Sequence, residues 1–335
     1  MSSSEFQQSI DDLQYIFPYK FGIEKDLKNN TNNYFNASIH CLLNIKQLTL
    51  YLISSLNKNE DKYIYFIADL IKELNNQNRD NKIIKEIFEK LKNYIKEKNY
   101  QYNSDNDPRK LIEFIFKNLQ KISELPEEIK TRKYKKCNSC GNISETNTTL
   151  NIIKFDIPEI IKNKKNINQK NNNIIQKDKI TIYDCFDYYF KSLNNNEIFF
   201  CDNCQNTKID LLIKELPSIL IIFIDYGTDK NYEISYEFDE EINFKNYNYD
   251  NNNRDYFLSS IIACKNLGTY FELFYTFVRE NEFSKYILYN GMEVRNNLGV
   301  KNKLIKNKNN LKDKKQSWPF VLKYIDKYLD NIEAQ

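Results

Sequence analysis

Cys137-Asn-Ser-Cys140-Gly141 and Cys201-Asp-Asn-Cys204 are the two stretches on which the fold of this chain turns. Each presents two thiols on a tight turn, a geometry suited to sharing one metal ion. Zinc takes four soft ligands in a tetrahedron, and two such knuckles supply the whole set. The sequence therefore predicts a Zn2+ ion held by Cys137, Cys140, Cys201 and Cys204. No ligand position is left open, so its expected role is structural. The 60 residues between the knuckles, 141–200, exceed a compact zinc finger. The knuckles must then close neighbouring strands, with a long excursion between them. Four buried or unpaired thiols are the competing reading, which the flanking Gly141, Asn138, Asn203 and other polar neighbours disfavour.

The remaining three of the seven cysteines, Cys41, Cys185 and Cys264, lie in apolar surroundings and read as small buried hydrophobes. The polar start, Met1 to Leu13, lacks the apolar core of a secretory signal. The longest strongly apolar run, Leu216 to Ile224, is too short to cross a bilayer. An intracellular protein, cytoplasmic or nuclear, with no membrane role is expected, which favours metal over disulfides for the paired cysteines. Lys and Arg number 49 against 46 Asp and Glu, a net charge of +3 that gives no global field for nucleic acid. An aromatic content of 14% argues against general disorder.

Working outward, the first half of the chain carries apolar residues at helical spacing. One stripe runs from Phe35 through Ile39, Leu42 and Leu48 to Leu56; a second runs from Ile64 to Leu74, and a third from Ile83 to Ile95. A fourth begins with Asp107 as N-cap and Pro108 at the first helical position, and continues to Ile122. From about residue 134 the segments shorten and become β-branched and aromatic: Leu150–Phe155, Glu197–Phe200, Ile209–Ile213, Ile219–Ile224, Tyr232–Phe238, Tyr256–Cys264, Tyr270–Val278 and Tyr286–Tyr289. Helices followed by strands specify an α+β protein. Three Asn/Lys-rich stretches, Ile161–Lys179, Asn246–Arg254 and Lys301–Lys315, read as mobile surface loops. The last lacks interleaved aromatics, so a solvated tether is expected over a nucleic-acid patch.

These pieces together resemble the ubiquitin-specific protease family (ubiquitin carboxyl-terminal hydrolases, peptidase C19). Asn33-Tyr-Phe-Asn-Ala-Ser-Ile-His-Cys-Leu42 is similar to its nucleophile box, and the two cysteine pairs are similar to its fingers. Tyr183-Asp-Cys-Phe-Asp-Tyr-Tyr-Phe190 resembles the segment leading to the second pair. Leu216-Pro-Ser-Ile-Leu-Ile-Ile-Phe-Ile224 resembles its Leu-Pro-x-x-Leu strand. Gly268-Thr-Tyr-Phe-Glu272 and Lys285-Tyr-Ile-Leu-Tyr-Asn-Gly291 stand where the family has its Gly-His-Tyr and Trp-Tyr-x-Phe-Asn-Asp boxes. The resemblance implies a papain-like fold over residues 18–300: a helical thumb (about 18–130), zinc-ribbon fingers (about 131–215) and an antiparallel β palm (about 216–300). An extension, 1–17, would precede it; a Lys/Asn-rich linker and a short C-terminal helix, 301–335, would follow.

Hydrolysis in this family needs a thiolate, an imidazole to take its proton and a side chain to orient the imidazole. Carried onto this chain, those positions hold Asn33, Thr269 and Gly291. The family's oxyanion-side Asn has only Asn32 as a counterpart, displaced by one position. The chain has one histidine, His40, directly before Cys41. Neighbours on a helix point about 100° apart, so His40 cannot serve that thiol as its base. The expectation is a pseudoenzyme, a catalytically inactive member of the family that binds ubiquitin or ubiquitinated proteins or scaffolds a complex. The alternatives are an interaction protein with no ubiquitin role and a weakly active deubiquitinating cysteine hydrolase.

Overall fold

The computed structural model describes residues 33–43, 62–75, 80–97, 107–122, 132–146, 152–170, 179–190, 201, 203–204, 209–215, 219–225, 235–247, 255–266, 272–279, 286–290, 293–298 and 317–326. In chain order the helices are α1 (Asn33–Leu43), α2 (Lys62–Asn75), α3 (Asn81–Glu97), α4 (Pro108–Ile122), α5 (Ile157–Lys170) and α6 (Ile182–Phe190). The strands are β1 (Arg132–Cys137), β2 (Ile143–Thr146), β3 (Ile152–Asp156), β4 (Lys179–Thr181), β5 (Ile209–Glu215), β6 (Ile219–Asp225) and β7 (Ser235–Glu237). They continue with β8 (Glu241–Asn243), β9 (Asp255–Asn266), β10 (Glu272–Arg279), β11 (Tyr286–Asn290), β12 (Glu293–Leu298) and β13 (Ser317–Asp326). The α+β class expected from the sequence is what the chain forms. It divides into two compact units, 1–124 with 260–319, and 125–259 with 320–335.

The first unit is built around α1. From Tyr34 to Leu42 every side chain of α1 is buried, with Asn36, Ser38 and His40 enclosed beside the apolar stripe. The Ser38 hydroxyl and the Ala37 carbonyl find partners. The Ser38 hydroxyl donates to the Tyr34 carbonyl at 2.8 Å and lies 3.2 Å from that of Pro108 in α4. The Thr276 hydroxyl of β10 donates to the Ala37 carbonyl at 2.8 Å. The Phe35 ring stands edge-on to Phe88 of α3 at 4.7 Å. The second and third stripes form as predicted, burying Ile67, Leu70, Ile71 and Leu74 in α2, and Ile84, Phe88, Leu91 and Ile95 in α3. Asp80 caps α3 through Lys82 N–H, and Asp107 caps α4 through Arg109 N–H, both at 2.8 Å. The predicted Asp107 cap is thus present, with the Arg109 guanidinium folded back on the same carboxylate at 2.7 Å. Behind α1, β12, β11, β10 and the second half of β9 follow one another as antiparallel neighbours.

In the second unit β1 lies between β2 and β5 in an antiparallel sheet. Elsewhere in the unit β6, buried from Ile219 to Ile224, pairs antiparallel with β13 and parallel with β3. A strand covered on both faces reads as a continuous apolar run, and β6 does. The parallel pairing is one that an antiparallel palm does not include. Phe186 of α6 gathers Phe155, Phe244 and Tyr247 at ring distances of 5.3, 4.8 and 5.5 Å.

Two expectations are corrected. Ile161–Lys170 is not loop: it belongs to α5, because Asp156 caps the helix at Glu159 N–H (3.0 Å) and Ile157 and Ile160 bury one face. The short helix expected within 301–335 is not what Ser317–Asp326 forms. This segment is β13, since aromatic and β-branched residues in Trp318–Ile325 favour a pleated, half-buried surface and pair with β6 from Val321↔Phe223 to Ile325↔Ile219. The expected strand Glu197–Phe200 and the loop Lys301–Lys315 lie outside the described residues, as does Asn246–Arg254 beyond Tyr247.

Candidate functional site

β1 ends at Cys137, and the chain turns through residues 138–140 before β2 begins at Ile143. The turn is tied by Cys137 N–H to the Asn142 carbonyl (2.8 Å) and Gly141 N–H to the Cys137 carbonyl (2.9 Å). It requires φ +69° at Gly141, a left-handed value that costs glycine nothing. The second knuckle closes with Cys204 N–H on the Cys201 carbonyl at 3.1 Å. It is carried to the first by strand pairing: β5 starts at Ile209, directly opposite Cys137 in β1. Register, not sequence proximity, joins the two pairs.

The four sulfur atoms lie within 4.8 Å of one another, and Cys140 Sγ is 3.7 Å from Cys201 Sγ. A tetrahedron with metal–sulfur bonds of about 2.3 Å has edges of about 3.8 Å, so the cluster has the dimensions of a four-thiolate metal site. Cys137 and Cys201 are buried, Cys204 is half-buried and Cys140 is exposed. Cys140, then burial and Cys137, push the Cys204 thiol up to about 12. The Asn203 amide favours a Cys201 thiolate, but burial and the neighbouring Cys140 and Cys137 prevail and raise it too. Where neighbouring thiols raise one another in this way, binding of a cation releases protons. Among the described residues this is the one group of three or more metal-ligating side chains brought together.

The structure places the other predicted positions less completely. Asn33 is the first residue of α1, while Thr269, Gly291 and the side chains of Asn33 and Cys264 lie outside what is described. His40 is 1% exposed, more deeply buried than a partly covered helix residue. Burial disfavours its charged form and lowers its pKa to about 3. Cys41, fully buried, hydrogen-bonds the Ser260 hydroxyl of β9 at 3.2 Å. Cys185 is also fully buried. Both match the expected role as core residues.

The family model for ubiquitin carboxyl-terminal hydrolase matches residues 26–318. The chain belongs to that family. Solved structures agree on the fold. A chain of a SAGA DUB module, Ubp8/Sgf11/Sus1/Sgf73 bound to monoubiquitin, is similar at a TM-score of 0.66 and 16% identity, over 97% of this chain and 74% of that one. A chain of the same module bound to ubiquitin aldehyde gives 0.66 and 14%, over 97% and 75%. A yeast SAGA DUBm with a substituted Sgf73 gives 0.63 and 14%, over 97% and 74%. Among curated proteins, none matches the sequence. The chain thus has the ubiquitin-specific protease fold that its motifs resemble.

Sequence reasoning missed Ser260 and Thr276, which lie 219 and 239 residues from their partners in α1 and leave no local signal. It also missed a capping box that was there to find. The Thr181 hydroxyl accepts from Asp184 N–H at 3.2 Å, while Thr181 N–H donates to the Asp184 carboxylate at 2.8 Å. Thr181-x-x-Asp184 before an apolar run is the usual signature of such a start.

Proposed function

We propose that this ubiquitin carboxyl-terminal hydrolase family member is a pseudo-deubiquitinase: it binds ubiquitin or ubiquitin conjugates and does not cleave them. The observation that carries the reading is the state of the one imidazole in the chain. His40 sits inside a fully packed helix, is held neutral by burial, and adjoins a thiol whose partner is the Ser260 hydroxyl. A general base must reach the proton it removes, and this one is enclosed in the core. The family positions for nucleophile, base and orienting residue hold Asn33, Thr269 and Gly291. An amide is a poor nucleophile, and a threonine is not a base near neutral pH.

Binding is supported by the fold, since SAGA DUB modules containing Ubp8 are bound to monoubiquitin and to ubiquitin aldehyde. The four-cysteine cluster fits Zn2+, with Cys137, Cys140, Cys201 and Cys204 as ligands. A bound ion there would tie β1 to β5 and complete the fold; its role is structural. The test uses the full chain with a fluorogenic ubiquitin C-terminal substrate and, separately, calorimetric titration with ubiquitin. No turnover with saturable binding is expected. Turnover abolished by one cysteine substitution would sink the inactive reading, and absence of binding at millimolar ubiquitin would sink the ubiquitin reading in favour of a scaffold.

A further inference from the structure

The four-sulfur cluster is not evenly enclosed, and this asymmetry decides where chemistry can reach it. Cys137 and Cys201 are 2% and 6% exposed, whereas Cys140 lies open to solvent. The next residue is open as well: a Cβ at Gly141 would meet nothing within 4 Å. Cys140 is also in contact with a buried sulfur, Cys201 Sγ at 3.7 Å. A solvent-facing thiol against a shielded one is the arrangement of an attacking sulfur with a resolving partner.

We propose that Cys140 is an oxidation site, and that peroxide converts Cys140 and Cys201 into a disulfide that expels the metal and opens the two knuckles. The inference rests on the metal reading above. In the first step the Cys140 thiolate attacks a peroxide oxygen; an S–O bond forms, the O–O bond breaks and hydroxide leaves. In the second the Cys201 thiolate attacks the Cys140 sulfur; the S–S bond forms and a second hydroxide leaves. Two thiolates lose two electrons, hydrogen peroxide gains them, and solvent protons convert both hydroxides to water. Closing 3.7 Å to a disulfide bond of about 2.05 Å moves the sulfurs about 1.7 Å together, through a turn whose outer side is unobstructed. The metal is left with two of its four sulfur ligands. Joining the knuckles covalently while removing their ion makes the state of the fingers respond to oxidant.

The experiment takes the full chain reconstituted with Zn2+ and adds hydrogen peroxide in increments. Released metal is read with a chromophoric chelator, and cysteine linkages by peptide mapping. Metal is expected to appear in step with a Cys140–Cys201 disulfide, and a dithiol reductant with added Zn2+ should restore binding. Cys140→His keeps a fourth ligand but no thiol there, and should slow release about tenfold or more. Release from that variant at the unmodified rate, or a disulfide lacking Cys140, overturns the proposal. Should Cys140→His fail to hold the ion, the order of alkylation by iodoacetamide in the metal-free chain decides: Cys140 first among the four supports it, any other first rejects it. A chain that takes up no Zn2+ defeats the metal reading, while the alkylation order still tests Cys140.

Discussion

His40 and its neighbours show how single residues set the chemistry of α1. Its folded-state pKa of about 3 lies below the ordinary 6.5, so the unfolded chain binds the extra proton as pH falls. The group's contribution to stability is complete above 6.5 and is lost between 6.5 and 3, with a slope of about 1.4 kcal/mol per pH unit. Unfolding by urea across this range should show the slope, and His40→Leu should reduce it relative to the parent, which separates His40 from carboxylates titrating in the same window. Thr276 is a second such residue. Thr276→Val keeps the shape but leaves the buried Ala37 carbonyl without this donor, at a cost of about 1–3 kcal/mol measured by the same denaturation. Neither effect is written in the local sequence. The apolar stripe of α1 was legible; the partners of Cys41 and of the Ala37 carbonyl, Ser260 and Thr276, come from strands more than 200 residues away.

Elements were legible where start signals and period agree. Asp107-Pro108 followed by Leu111, Ile112 and Ile115 gave α4 its beginning and its buried face from sequence alone. Asp156 and Glu159 would have done the same for α5, but Asn/Lys composition after Ile161 obscured the helical face. The capping box of α6 offers a direct test. Burial alone would raise the Asp184 carboxyl, but bonds from Lys164 and from the Thr181 amide and hydroxyl hold it below its usual value. Asp184→Ala should cost about 1 kcal/mol, read as a lower denaturation midpoint, with Thr181→Ala similar and the double variant less than additive. Gly141→Ala tests the first knuckle. No contact opposes the methyl group, so the penalty of about 1–2 kcal/mol comes from the left-handed backbone alone and should appear as weaker metal binding in a chelator competition.

For the whole molecule, the motifs fixed more than their separate weights suggest, because four weak matches in family order define one fold. On the proposed reading the family's catalytic positions hold Asn33, Thr269 and Gly291, an assignment made from the sequence alone. What the sequence concealed was pairing: β3 parallel to β6, and β13 as a strand in place of a helix. Both depend on contacts between distant segments, which periodicity within one segment does not encode. On the proposed Zn2+ reading, stripping the ion with a chelator should loosen the β1–β2–β5 sheet first, because Cys137 ends β1 and the cluster lies at that end of the sheet. Amide hydrogen exchange in 132–146 and 209–215 should accelerate while α2 and α3 keep their protection.

Each compact unit is assembled from two separated stretches of chain, 1–124 with 260–319 and 125–259 with 320–335. On the ribosome this ordering has a cost in time. Helix α1 leaves the exit tunnel before β10 is made, and the hydroxyl that satisfies its Ala37 carbonyl is encoded 239 positions later. At about 5–20 residues per second, that interval lasts on the order of 12–50 s, during which apolar helical segments have no sheet to cover them. Until β10 is made, the Ala37 carbonyl lacks its Thr276 donor and α1 lacks the strand it packs against.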